Sequence, residues 1–402
     1  MKMEMERIPV TAMAAHKCAA QSPRSRTSTD PPSSMRDQSK RSWREIVAPY
    51  ARPDTRRAVI QLLDTGLPFL ILVAALLYGI GRYRWAAFPL VVPAAALLVR
   101  LFMIQHDCGH GSFFKSRRAN DLLGRTLGVL TLTPYAFWRS SHATHHATSG
   151  NLDRRGVGDV TTLTVREYRL LPAWRRLFYR IYRHPLVLFG IGPTYLFVIR
   201  HRIPTGNPLR HRQRWTSILG TDAAIAATIL LLVLTVGPRA VLLGYLPMIL
   251  LASSLGVWLF YIQHQFEDTY WQAEAEWDFG AAALQGSSFY DLPRALHWLT
   301  GYIGFHHIHH LCSKVPNYRL RACFEQNSEF WQAKRLTLFD SLRCPRLALW
   351  DEEQRILVSF RDATGRRAVA PAPTLDQWAD MASSVTFVRS RCMRLDTLPP
   401  LR

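Results

Sequence analysis

Acidic residues are few in this chain of 402 residues: 29 Asp and Glu face 50 Lys and Arg, leaving a formal charge of +21 at pH 7. Cysteine is sparse as well. The six present (Cys18, Cys108, Cys312, Cys323, Cys344 and Cys392) form no CxxC pair and keep no regular spacing, which excludes a disulfide framework. Cys108 and Cys312 lie in or beside histidine clusters, yet a buried small residue is the expected role of each. The first 45 residues contain no apolar core of a secretory leader; rich in Ser, Pro, Arg and Thr, as in Gln21-Ser22-Pro23-Arg24-Ser25-Arg26, they read as a disordered cytoplasmic basic arm. Internal repeats and low-complexity tracts are missing too.

What is present is apolar length interleaved with arginine. About eighteen Lys and Arg fall between Lys115 and Arg214. Such charge suggests nucleic acid first. That reading is rejected because the basic stretches flank apolar runs long enough to span a bilayer, where positive residues mark the cytoplasmic side and meet anionic headgroups. An acidic electron-transfer partner would be attracted to the same surface.

Four runs approach the ~20 residues a spanning helix needs: 58–80, 85–104, 218–236 and 241–262. Gly79, Gly81, Arg82 and Arg84 mark the turn of the first pair, with Arg100 placed to snorkel at the exit of its second helix. Gly237-Pro238-Arg239-Ala240 closes the second pair. The segment Leu122–Trp138 reads as interfacial, 154–183 as basic and soluble, and Leu186–Ile199 as re-entrant or lying on the surface. Two hairpins put both termini on one side, and the arginine-poor hairpin tips make the opposite, box-bearing side cytoplasmic.

Gly304-Phe305-His306-His307-Ile308-His309-His310 packs four histidines into five positions, in a chain with only 15. Upstream stand His106-Asp107-Cys108-Gly109-His110 and His142-Ala143-Thr144-His145-His146. The three clusters read HxxxH, HxxHH and HxxHH, each at or beyond the end of an apolar run. Residues at i, i+3 and i+4 share a helix face, so each cluster is expected to aim its imidazoles at one point. Eight patterned histidines exceed the four ligands of one tetrahedral zinc and suffice for two metals. Two irons can activate dioxygen against an unactivated C–H bond, and neutral imidazoles hold them without adding charge. His264, flanked by Gln263 and Gln265 at the end of the fourth run, is a candidate additional ligand. His307 is off the pattern and is expected to support the ligands from behind. His297 reads as a satisfied interfacial histidine, and His16, His184, His201 and His211 lie outside any constellation.

At these residues the chain resembles the membrane-bound fatty acid desaturase family, through HDCGHGSFF at 106–114, SHATHHATSGNLD at 141–153, YIQHQFE at 261–267 and GFHHIHHL at 304–311. The resemblance runs from about Tyr50 to Asp351. It implies an all-α integral membrane protein with four transmembrane helices in two hairpins and a cytoplasmic helical cap holding a His-rich di-iron site. The desaturase domain is assigned to 46–360, with the arm at 1–45 before it and an accessory tail at 361–402. By the same resemblance His106, His110, His142, His145, His146, His306, His309 and His310 are ligands of two iron ions, and His264 takes the place of an extra ligand. Tyr302 departs from the pattern, since relatives tend to carry Asn there.

The implied chemistry is insertion of a cis double bond into an acyl chain, with dioxygen as co-substrate and two electrons. The flanks of the first box look most like the bacterial and plastid acyl-lipid delta-12 (omega-6) desaturases, implying oleoyl-to-linoleoyl conversion on glycerolipid in a bacterial inner membrane. No His-Pro-Gly-Gly cytochrome signature occurs, so electrons are expected from a separate protein, a ferredoxin or a cytochrome with its reductase. One rival is a di-iron hydroxylase or ketolase of a carotenoid, alkane or acyl chain, distinguished by oxygen in the product. Another is a His-rich metal transporter, which would carry its ligands near the midplane of the spans.

Overall fold

The computed structural model describes residues 42–204 and 211–365. The arm expected at 1–45 lies outside the described residues up to position 41, and the tail lies outside them from position 366.

Helix α1 (Thr55–Tyr83) begins behind Asp54, whose Oδ1 accepts from the Arg57 N–H at 3.1 Å, a carboxylate at the positive end of the helix dipole. A short tight-helical turn, Arg84–Leu90, leads into α2 (Val91–His110). The turn closes over Gly79, where a Cβ would stand 2.5 Å from the Cβ of Ala87. Gly111 ends α2 in the left-handed region (φ 64°), and its N–H returns to the carbonyls of Asp107 and Cys108. Next come α3 (Arg117–Leu130), capped by Ser116, α4 (Tyr135–Thr148) and α5 (Ala173–Tyr182). The second long hairpin is α6 (Arg212–Val236) and α7 (Leu246–His264), joined through Gly237, Pro238 and a widened helical turn at Val241–Tyr245. The third histidine box forms the short helix α8 (His306–Leu311).

Four helical stretches, Thr55–Tyr83, Trp85–His110, Arg212–Val236 and Pro238–His264, are long and apolar enough to cross a bilayer. Only 6% of the most apolar window of Arg212–Val236 is buried inside the protein, so its Leu219, Leu230, Leu231 and Leu234 face outward. Such a surface needs lipid around it. The helices outrun the expected spans at the box-bearing end, because hydropathy marks only their apolar part while the ladder continues into the cap. Arg100 differs from expectation. It is 3% exposed, donates to Thr65 Oγ1 at 2.9 Å and to the Trp298 carbonyl, and lies 3.9 Å from the centre of the Trp298 ring. It pins α1 and α2 to the cap rather than reaching water.

Leu122–Trp138, expected as one segment, is split at Thr131–Pro134. Pro134 lacks an N–H and disfavours helical geometry at Thr133, and Leu132 takes φ 53°. Among the described residues the predominantly helical architecture also carries two small sheets. Leu163–Thr164 pairs in parallel with Leu349–Asp351, which pairs antiparallel with Ile356–Val358, and Phe289–Asp291 pairs in parallel with Arg335–Thr337. These strands are too short to show an alternating pattern in sequence.

Candidate metal centre

The last turns of α2 present His106 and His110, α4 presents His142, His145 and His146, the end of α7 presents His264, and α8 presents His306, His309 and His310. Several contacts fix these elements against one another. Tyr135 at the start of α4 donates its hydroxyl to the Cys108 carbonyl at 2.8 Å, and its ring fills the space that Gly124 leaves bare. Trp138, one turn later, stacks on His142 at 4.7 Å. Ahead of α8, the Gly304 carbonyl accepts from Tyr290 N–H at 2.8 Å, an approach a side chain would block, since a Cβ there would lie 2.5 Å from the Tyr290 oxygen. Asp107 joins the first box to the chain beyond the third by accepting from Asn317 N–H at 2.7 Å.

The boxes do not each aim at one point. The imidazoles sort into two groups, His106, His110, His142, His146 and His309 in one, and His145, His264, His306 and His310 in the other, each with ligand atoms within 4.8 Å of one another. Helix geometry explains the correction. Residues i and i+4 differ by about 40° around the axis, whereas i+3 lies about 60° to the opposite side of i. Each i, i+4 pair (106/110, 142/146 and 306/310) therefore stays together, while each i+3 residue, His145 and His309, swings across to the other group.

Within the first group, Nε2 of His142 is 2.9 Å from that of His106, 3.1 Å from that of His110 and 3.1 Å from that of His146, which is 3.1 Å from that of His309. Within the second, Nε2 of His264 is 2.9 Å from that of His306 and 3.2 Å from that of His145. Nitrogens bound at about 2.1 Å to one ion and at right angles to each other stand about 3.0 Å apart. The spacing and the donor set thus fit one metal ion in each group.

The outer nitrogens orient several of these rings. His145 Nδ1 faces the Asp159 carboxylate, whose side chain is 8% exposed, His264 Nδ1 donates to the Gly286 carbonyl at 3.0 Å, and His106 Nδ1 stands 3.4 Å from Asp107 Oδ1. A proton held on Nδ1 leaves the Nε2 lone pair free for a metal. Burial pushes the pKa values of His142, His146, His306, His309 and His310 well below the ordinary 6.5, and neighbouring histidines push them further. The rings are accordingly neutral and ligand-competent at pH 7.

His264 joins a group, as its flanks suggested. His307 stands apart from both groups, among the rings of Phe289, Phe324 and Phe330, with burial pushing it down to about 4. His297 is buried and accepts from Leu292 N–H at 3.2 Å. Cys108 is buried and Cys312 half-buried, and neither belongs to a group. Tyr302 holds a left-handed backbone (φ 57°), a conformation Asn adopts more readily, and its ring lies over His297. Asp107, Asp159, Gly286 and Trp138 escaped the sequence reading. Only Asp107, inside the first box, carried a positional signal.

A cavity of about 970 Å³ opens beside His106, His142 and His306. Leu98, Phe102, Ile249, Val257 and Phe260 give it a mainly apolar wall, which also includes His201, Arg200 and Arg214. His201, which lies outside the three histidine boxes, is buried on this wall.

Two groups of histidines that fit metal ions, at the ends of apolar helices and beside a mainly apolar cavity, are the features of a membrane-embedded oxidoreductase of lipid chains. The chain belongs to the fatty acid desaturase family: the family model matches residues 83–341. It is 45% identical over 315 residues to a fatty acid desaturase of Bacillus subtilis, covering 78% of this chain and 89% of that one. It is 29% identical to an sn-1 acyl-lipid omega-3 desaturase (ferredoxin) of Nostoc, covering 62% and 70% of the two chains. Identity to an sn-1 oleoyl-lipid 12-desaturase of Synechocystis is 27%, over 63% and 72%. It is therefore an integral membrane desaturase.

Proposed function

We propose that this desaturase holds two irons on nine histidines and inserts a cis double bond into acyl chains of intact glycerolipid, converting oleoyl to linoleoyl groups. The sorting of the nine imidazoles into groups of five and four carries the reading, because five donors in one group exceed what a tetrahedral zinc site takes. Iron, when bound, supplies the means to activate dioxygen. In the overall reaction two neighbouring methylenes lose one hydrogen each, and dioxygen, two electrons and two protons complete the formation of two waters. The chain's own part is to hold His106, His145 and His264 in place through Asp107, Asp159 and Gly286. It also offers a mainly apolar cavity that confines the acyl chain, so that only methylenes beside His106, His142 and His306 are within reach.

The names of the Nostoc and Synechocystis relatives support acyl-lipid substrates and, for the former, a ferredoxin donor. The resemblance of the first box supports position twelve. The arginine-poor hairpin tips support a cytoplasmic face for the histidines in a bacterial inner membrane, with domain limits at 46–360. Feeding isotope-labelled oleate to cells expressing the protein is expected to yield labelled 9,12-diene in glycerolipid. A new bond elsewhere with none at carbon twelve removes the delta-12 reading, and a hydroxylated chain removes desaturation.

A further inference from the structure

One part of the cavity wall differs chemically from the rest. It contains two cationic side chains among the described residues, Arg200 and Arg214, both half-buried. Neither has a carboxylate within ion-pair distance among the described residues, whereas Arg202 between them in the chain is paired with Asp222 at 2.8 Å. Arg200 donates only weakly to its own loop, to the Ile203 carbonyl at 3.3 Å. Arg214 lies 5.4 Å from the centre of the Phe137 ring, whose other neighbour is His201 at 6.0 Å. Guanidiniums that lack a carboxylate partner present planar, forked donors that match phosphate oxygens.

Depth points the same way. Arg214 occupies the first turn of α6, four residues ahead of the apolar run at Ile218, at the end of the span that packs on the histidine-bearing α4 through the Ala136 N–H to Ser217 Oγ bond of 3.1 Å. Ile191 and Tyr195 on the cavity wall, with Ile199 four residues further on, form an apolar stripe that is 48–66% exposed. An apolar stripe of this kind lies in the headgroup region of a leaflet, where phosphodiesters are.

We propose that Arg200 and Arg214 form a site for the phosphodiester of a glycerophospholipid whose acyl chain extends down the cavity to the histidines. This rests on the acyl-lipid reading above and names the group by which the lipid is gripped. The phosphate fixes one end of the chain at the two arginines, and the distance from there to the histidines then selects the carbon presented to them.

The test combines binding and turnover on full-length, iron-loaded protein in detergent. Binding of a saturated phosphatidylglycerol, which is not needed as a substrate, is measured by native mass spectrometry on wild type, on the double variant Arg200→Gln/Arg214→Gln, and on Arg166→Gln, which is exposed and away from the cavity. Retention is expected in wild type and Arg166→Gln and loss in the double variant. In mixed micelles the double variant is expected to raise KM for oleoyl phosphatidylglycerol roughly ten- to a hundredfold, the worth of one or two charge-assisted hydrogen bonds. Its kcat, and its turnover of dioleoylglycerol, which lacks the phosphate, should match wild type. Equal retention, or equal effects on both lipids, overturns the phosphate site while leaving acyl-lipid desaturation standing. Phospholipid binding lost in the double variant, with no turnover of any glycerolipid by wild type, upholds the site and sinks the proposed function instead.

Discussion

Replacing Asp159 by Ala asks how the second histidine group is held. The Asp159 side chain is 8% exposed and accepts a hydrogen bond from Nδ1 of His145, the histidine that α4 contributes to that group. No ligand of the first group is paired with it among the described hydrogen bonds, so the effect should be confined to one ion. Removing a carboxylate behind a metal-bound imidazole weakens metal binding by about 10- to 100-fold, or about 1.4–2.7 kcal/mol. Asp159→Asn keeps an acceptor without the charge and should fall near the lower limit. The assay is competition with a graded chelator, following metal retained per chain and the circular dichroism of the same samples. Asp159→Ala should release one ion at lower chelator concentration, with the second ion and the helical signal unchanged. Wild-type retention of both ions, or equal loss of both, would refute the argument that Asp159 acts through His145.

Other expectations follow from the same geometry. His306→Ala should abolish turnover, while His307→Ala, which empties a site among Phe289, Phe324 and Phe330, should leave metal content intact and lower stability by about 2–5 kcal/mol, read by thermal melting in detergent. Metal-free protein should lose stability as pH falls. The native pKa values of His142, His146, His306, His309 and His310 lie below the 6.5 of the unfolded chain, so unfolded protein binds more protons under pH 6.5 and the full stability is present above it. A melting temperature that rises between pH 7 and pH 5 contradicts this. Cysteine placed at Arg239 should react with an impermeant reagent from outside intact cells, and cysteine at the exposed Gln332 only after permeabilisation; the reverse pattern inverts the proposed orientation.

Much of this architecture was legible because lipid imposes simple rules. A run such as 218–236 must be helical where no water can satisfy its backbone, and three histidine boxes at the ends of such runs advertise a metal centre. The sorting of the boxes was less legible. The spacing HxxHH contains both an i, i+4 pair and an i+3 residue, and which ring joins which ion depends on how α4 and α8 face each other across the site. Asp159 and Gly286 were invisible for a related reason: each lies in an irregular segment whose position is set by packing in three dimensions. Arg100 looked like a snorkelling cation because its burial depends on Trp298, some two hundred residues later.

The two-ion arrangement is tested most directly by metal analysis of purified protein alongside single-ligand variants, one from each group. Wild type is expected to carry two irons per chain, and His146→Ala and His306→Ala are each expected to lose one and keep the other. Zinc in place of iron in active protein, a single ion in wild type, or variants from the two groups that compete for the same ion would contradict the account.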